Sequence, residues 1–136
     1  MSKWLTVIGV GEDGYDGLSA RARLAVGTAE VIVGSERLLA FLPAHTAEIH
    51  EWPQPFSAVI DRIRPLRGRR TVILATGDPL NYGVARKLLT FIPFDEVEII
   101  PHLSAFSLAA ARVGWSLPDC DTLTLHGRDA ATIEPF

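Results

Sequence analysis

Short β-branched, apolar runs recur along the chain, and each is followed by a stretch with helical spacing. Strand-like runs lie at residues 4–10, 30–33, 71–75, 96–100 and 122–125, with a short extended piece at 47–52. Helical stretches lie at 18–28, 36–41, 56–63, 84–91 and 105–113. In the third of these Phe56, Val59, Ile60 and Ile63 form one apolar stripe, and in the fourth Val84, Leu88 and Phe91 point inward. Few architectures satisfy strands alternating with helices through short loops. The expected class is α/β, a mainly parallel sheet flanked by helices. With 136 residues, 48% of them hydrophobic, the chain can bury one sizeable core.

Composition narrows the function classes. A net charge of −3 offers no basic footprint, so a nucleic-acid partner is not expected. One cysteine, Cys120, rules out an internal disulfide framework or a multi-cysteine zinc site and reads as a small apolar filler. His45 and His50 are spaced too widely for ordinary ligand pairs, so no metal is expected. No apolar run has the length of a membrane span and no signal peptide is evident, so the expected location is cytoplasmic. The arginines 62, 64, 67, 69 and 70 read as a solvated helix end, where cations complement the helix dipole.

Three loops carry the functional signal. The first strand runs into Gly9-Val10-Gly11-Glu12-Asp13-Gly14, formally the GxGxxG of a dinucleotide-binding loop. Against that reading, the loop continues through Tyr15-Asp16-Gly17 and the helix starts near Leu18 or Ser19. Glu12, Asp13 and Asp16 would also repel a pyrophosphate. The strand-like run 71–75 enters Thr76-Gly77-Asp78-Pro79-Leu80-Asn81-Tyr82-Gly83, which alone reads equally as a turn or as a ligand loop. The run 96–100 enters Pro101-His102-Leu103-Ser104-Ala105, with Ser104 expected to cap the following helix. If the strands are parallel, all three loops emerge at one sheet edge and line one crevice, where α/β sheets bind ligands.

Together these segments resemble the tetrapyrrole methyltransferase family. The resemblance rests on Gly9-Val10-Gly11 with Leu18-Ser19-Ala20-Arg21-Ala22, on Gly77-Asp78-Pro79, and on Pro101-His102-Leu103-Ser104-Ala105. The segments 34–39 (GSERLL), 110–119 (AARVGWSLPD) and 125–128 (LHGR) are similar to the branch that methylates carbon 5 of precorrin-6Y or cobalt-precorrin-7 in cobalamin biosynthesis. Two positions depart from the pattern: His102 stands where many relatives carry glycine, and Gly11-Glu12-Asp13-Gly14 replaces Gly-Pro-Gly-Asp.

The resemblance implies a methyltransferase that uses S-adenosylmethionine and a corrin precursor. It implies cofactor contacts at Gly9, Gly11, Glu12, Gly77, Asp78, Leu80, Asn81, Gly83, Ser104 and Ala105, and substrate contacts at Tyr82 and His102. No covalent nucleophile is needed and no general base is assigned; His102 and His126 read first as structural histidines. The resemblance further implies a homodimer, and a first subdomain at 1–126 with 127–136 leading into a second subdomain that this chain lacks. Two other readings stay open: a Rossmann-type dinucleotide-binding domain with Glu36 as its acid, and an assembly fragment without catalysis.

Overall fold

The computed structural model describes residues 3–52, 58–77, 79, 84–103, 105–114, 116 and 118. Five strands form one sheet: β1 (Leu5–Val10), β2 (Val31–Gly34), β3 (Glu48–Glu51), β4 (Thr71–Thr76) and β5 (Val97–Ile100). Their spatial order is β3-β2-β4-β1-β5, and every pairing is parallel. The expected α/β class is therefore observed. The short helices are α1 (Ala20–Thr28), α2 (Glu36–Leu39), α3 (Val59–Ile63) and α4 (Val84–Leu88). A compact first unit ends at His102 and holds the whole sheet. The second unit begins at Leu103, and its described residues include α5 (Ala105–Val113), on which Ala109, Ala111 and Arg112 are exposed.

Period-two alternation sorts the strands onto two cores. Leu5, Val7, Val31, Val33, Ile73 and Ala75 pack with Val59 and Ile63 of α3 and with Ala85 and Leu88 of α4. Ile8, Val10, Ile32, Val72 and Leu74 pack on the opposite side with Ala22 and Val26 of α1 and with Leu38 of α2. Burial on both faces is why these strands read as nearly continuous apolar runs. Each fully buried aliphatic side chain contributes about 1.5–3 kcal/mol. Ser19 and Ser35 start α1 and α2 by accepting hydrogen bonds from the Ala22 and Leu38 amides at 3.2 and 3.3 Å.

The elements differ from expectation mostly at their ends. The helix expected over 84–91 stops at Leu88, and the next residues form turns. Phe91, expected inward, is therefore 55% exposed and stacks 6.0 Å from the Arg64 guanidinium; Ile92 takes the core position instead. The helix expected over 36–41 likewise ends at Leu39. Phe56 and the strand expected at 122–125 lie outside the described residues.

The arginine cluster is more than a solvated helix end. Arg67 makes two hydrogen bonds, at 2.9 and 2.8 Å, to a Glu96 carboxylate that also accepts the Trp4 indole N–H at 2.8 Å. Arg69 pairs with Glu48 and Arg70 with Glu30, each at 3.2 Å. These residues stand at or just before strand starts, so they pin the amino edge of the sheet.

Candidate functional site

The strand order sets β1 between β4 and β5, with Val10 beside Thr76 and Ile8 beside Ile100 in register. The loops that follow these three strands consequently leave the same carboxyl edge side by side. Their backbones interlock. A side chain at Gly9 would begin 2.0 Å from the Gly77 carbonyl oxygen and 2.8 Å from the His102 backbone nitrogen. Gly77 adopts a left-handed φ of 66°, which lets the β4 chain turn, and its N–H donates to the Val10 carbonyl at 2.9 Å. At Gly11 a side chain would begin 2.5 Å from Cε1 of the His102 ring. Gly9, Gly11, Gly77 and His102 are thus brought together.

The first loop folds back in a defined shape. The Gly14 N–H donates to the Gly11 carbonyl at 3.1 Å, and Gly14, with a φ of 58°, lies against the Phe41 ring. A 3-10 turn then covers Gly14–Gly17. Arg23 holds that turn from α1: its guanidinium donates to the Asp16 carbonyl at 2.6 Å and lies 5.2 Å from the Tyr15 ring centre. The only helical turn that starts within the glycine motif is the four-residue 3-10 turn at Gly14; the α-helix α1 does not begin until Ala20. Glu12, Asp13 and Asp16 are exposed on this loop. A pyrophosphate would meet carboxylates there rather than helix amides; a cationic ligand would meet attraction.

The other residues expected at the site fall in different places. Ala105 opens α5 in the second unit. Asp78, Leu80, Asn81, Tyr82, Gly83 and Ser104 lie outside the described residues. Sequence reasoning missed the steric pairing of Gly11 with His102. The available signal was a bulky His102 where the resemblance leads one to expect glycine.

Clefts are present at the opposite, amino edge. One of about 320 Å³ is lined by Trp4, Thr6, Arg21, Ala25 and Glu98 among others. Its charges are already engaged, since Arg21 holds Glu98 through two hydrogen bonds, and that edge reads as structural. There the Arg67 guanidinium and then the Trp4 N–H hold the Glu96 carboxyl below its ordinary value. His50, followed by Arg69, does the same for Glu48. Among the described residues there is no cluster of three or more His, Cys, Asp or Glu able to hold a metal ion, and no helix long and apolar enough to cross a membrane.

Comparison with known proteins agrees with this arrangement. A precorrin-6Y C(5,15)-methyltransferase (decarboxylating) from Sinorhizobium sp is 39% identical over 136 residues, covering 99% of this chain and 33% of that protein. A cobalt-precorrin-7 C(5)-methyltransferase from Salmonella typhimurium is 33% identical over 124 residues, covering 91% of this chain and 62% of the relative. The chain therefore spans between about a third and three fifths of these relatives. The crystal structure of a cobalamin biosynthesis precorrin-6Y methylase from Archaeoglobus fulgidus superposes with a TM-score of 0.69 at 25% identity, covering 93% of this chain and 65% of that one. The family profile of the tetrapyrrole (corrin/porphyrin) methylases matches residues 4–135. With that match laid over a parallel sheet whose β1, β4 and β5 loops interlock at one edge, the chain belongs to the tetrapyrrole (corrin/porphyrin) methylases.

Proposed function

We propose that this chain forms the cofactor-binding part of an S-adenosylmethionine-dependent enzyme that methylates carbon 5 of a corrin precursor in cobalamin biosynthesis. The observation that carries the reading is the interlock of Gly9, Gly77 and His102, which gathers three strand ends at the carboxyl edge. The first loop suits the cofactor's charge: S-adenosylmethionine carries a sulfonium cation and no phosphate, and the loop presents Glu12, Asp13 and Asp16 to solvent ahead of α1, which begins only at Ala20. The names of the relatives at 39% and 33% identity support the corrin substrate.

In this reading Gly9, Gly11 and Glu12 supply the first wall of the site and Gly77, Asp78, Leu80, Asn81 and Gly83 the second. Ser104 and Ala105 are proposed as further cofactor contacts, Asp78 as the residue that orients the methionine end of the cofactor, and Tyr82 and His102 as contacts to the macrocycle. Residues 1–126 are proposed as a first subdomain, of which the compact unit ending at His102 holds the sheet, and 127–136 as a link into a second. When bound, the sulfonium supplies an electrophilic methyl group. The protein's share is to bind, to exclude water and to hold the ring carbon in line with that methyl, an orientation worth about 7–11 kcal/mol of barrier.

Isothermal titration of the purified protein with S-adenosylmethionine, S-adenosylhomocysteine and NAD tests the cofactor. Binding of the first two and silence with NAD is the expected result. Heat from NAD alone would overturn the reading in favour of a dinucleotide domain.

A further inference from the structure

His102 fills the side-chain space of two glycines at once. Its backbone nitrogen and Cβ lie 2.8 and 3.1 Å from where a Gly9 side chain would begin. Its ring atoms Cε1, Nδ1 and Nε2 lie 2.5, 2.9 and 3.0 Å from where a Gly11 side chain would begin. The half-buried imidazole therefore rests on the Gly11 backbone with no side chain between them. Gly11 is also the residue whose carbonyl receives the Gly14 N–H, so the ring supports the point at which the first loop folds back. Glu12 follows directly, and its carboxylate moves wherever Gly11 moves.

We infer that His102 is a positioning residue: Gly11 and the His102 ring act as one steric unit that sets the height of the first loop over the crevice. The inference rests on reading that crevice as the S-adenosylmethionine site. Its physical content is volume complementarity. The planar ring needs a neighbour without Cβ, and a loop lacking a side chain at that point needs something rigid beneath it. Without the ring the loop settles toward β5 and carries the Glu12 carboxylate with it. A displacement of about 1 Å is enough to cost a bound, oriented ligand about a hundredfold in productive geometry.

The test uses Gly11→Ala, His102→Ala and the double variant, each titrated with S-adenosylmethionine and melted without it. Each single change is expected to weaken binding about tenfold. In the His102→Ala background, Gly11→Ala is expected to cost less than about twofold, because its methyl enters the vacated ring space. The melting temperatures are expected to show the same non-additivity. Additive losses in both readouts would overturn the steric unit. An unchanged affinity in His102→Ala, with only a lower melting temperature, would overturn the positioning role. If the wild type itself does not bind S-adenosylmethionine while the melting temperatures remain coupled, the steric unit stands and the cofactor reading falls.

Discussion

Replacing Gly9 with alanine places a methyl carbon 2.0 Å from the Gly77 carbonyl oxygen, 2.8 Å from the His102 nitrogen and 3.1 Å from the His102 Cβ. Carbon contacts settle near 3.5 Å, so the β4 turn must retreat by about 1.5 Å. None of these atoms is the free end of a flexible side chain. Gly9 is held in register beside Ala75, and the retreat pulls the Gly77 N–H from the Val10 carbonyl, where it now donates at 2.9 Å. Overpacking of this kind costs about 1–3 kcal/mol and the lost hydrogen bond about 1 kcal/mol more, for a total of about 2–4 kcal/mol. A domain of this size has about 5–15 kcal/mol of stability, so the variant folds but melts about 10 °C lower. Gly27→Ala is the matched control: it is exposed in α1, has nothing within 4 Å of the added carbon, and is expected to gain about 0.5–1 kcal/mol from better helix propensity. The assay is thermal unfolding followed by circular dichroism. A Gly9→Ala melting temperature equal to or above that of Gly27→Ala would show that the strand ends do not interlock as described.

Other outcomes follow from the same structure. The folded Glu96 carboxyl is held below its ordinary value of 4.5 by Arg67 and Trp4, so the unfolded chain takes up the proton first as pH falls. Its contribution is complete above about pH 4.5 and is lost as pH drops through the folded value. Denaturant midpoints measured from pH 7 down to pH 3 should therefore fall less steeply in Glu96→Gln, with Glu48 supplying part of the slope that remains; identical slopes would refute the assignment. At the end of α4, Phe91→Ser should change stability by less than about 0.5 kcal/mol, whereas Ile92→Ala should cost about 2–5 kcal/mol, because Phe91 is exposed and Ile92 buried. Urea denaturation of the two variants reads the difference, and a costly Phe91→Ser would restore the inward orientation that helical spacing suggests.

Much of the fold is legible in the pattern of residues, for a physical reason. A strand buried on both faces must be largely apolar, and 5–10, 31–34 and 71–76 satisfy that locally, with threonines only at Thr6, Thr71 and Thr76. Periodicity assigns faces but not neighbours. That β4 inserts between β2 and β1 is a long-range outcome, and it decides which loops meet. Phe91 was misread because three-residue spacing keeps its meaning only while the helix lasts, and α4 ends at Leu88. The arginines were misread for a related reason. A helix-dipole argument uses sequence neighbours, but the partner of Arg67 is Glu96, 29 residues away. At Gly9 and Gly11 the space a side chain would need is taken by Gly77 and His102, a long-range contact that spacing along the chain does not reveal.

The two edges of the sheet divide the work between charge and shape. At the amino edge the strand starts are tied by long-range pairs: Glu96 to Arg67 and Trp4, Arg70 to Glu30, and the Arg70 guanidinium to the Thr28 carbonyl at 2.9 Å. The buried Glu96 carboxylate is not available to a ligand without a large loss, since removing Arg67 would leave it unpaired, whereas the exposed Arg70–Glu30 pair is worth at most about 1 kcal/mol. At the carboxyl edge Gly9, Gly11, Gly77 and His102 meet through close backbone contact, one ring and the Gly77 N–H bond to the Val10 carbonyl. Glu12 and Asp13 stay exposed beside the interlock. A cationic ligand would be attracted by these carboxylates, and the closer their neighbours are packed the less ordering it has to offset. By this reasoning, substitutions at the amino edge alter stability and its acid dependence, while those at the interlock alter affinity beyond their effect on stability.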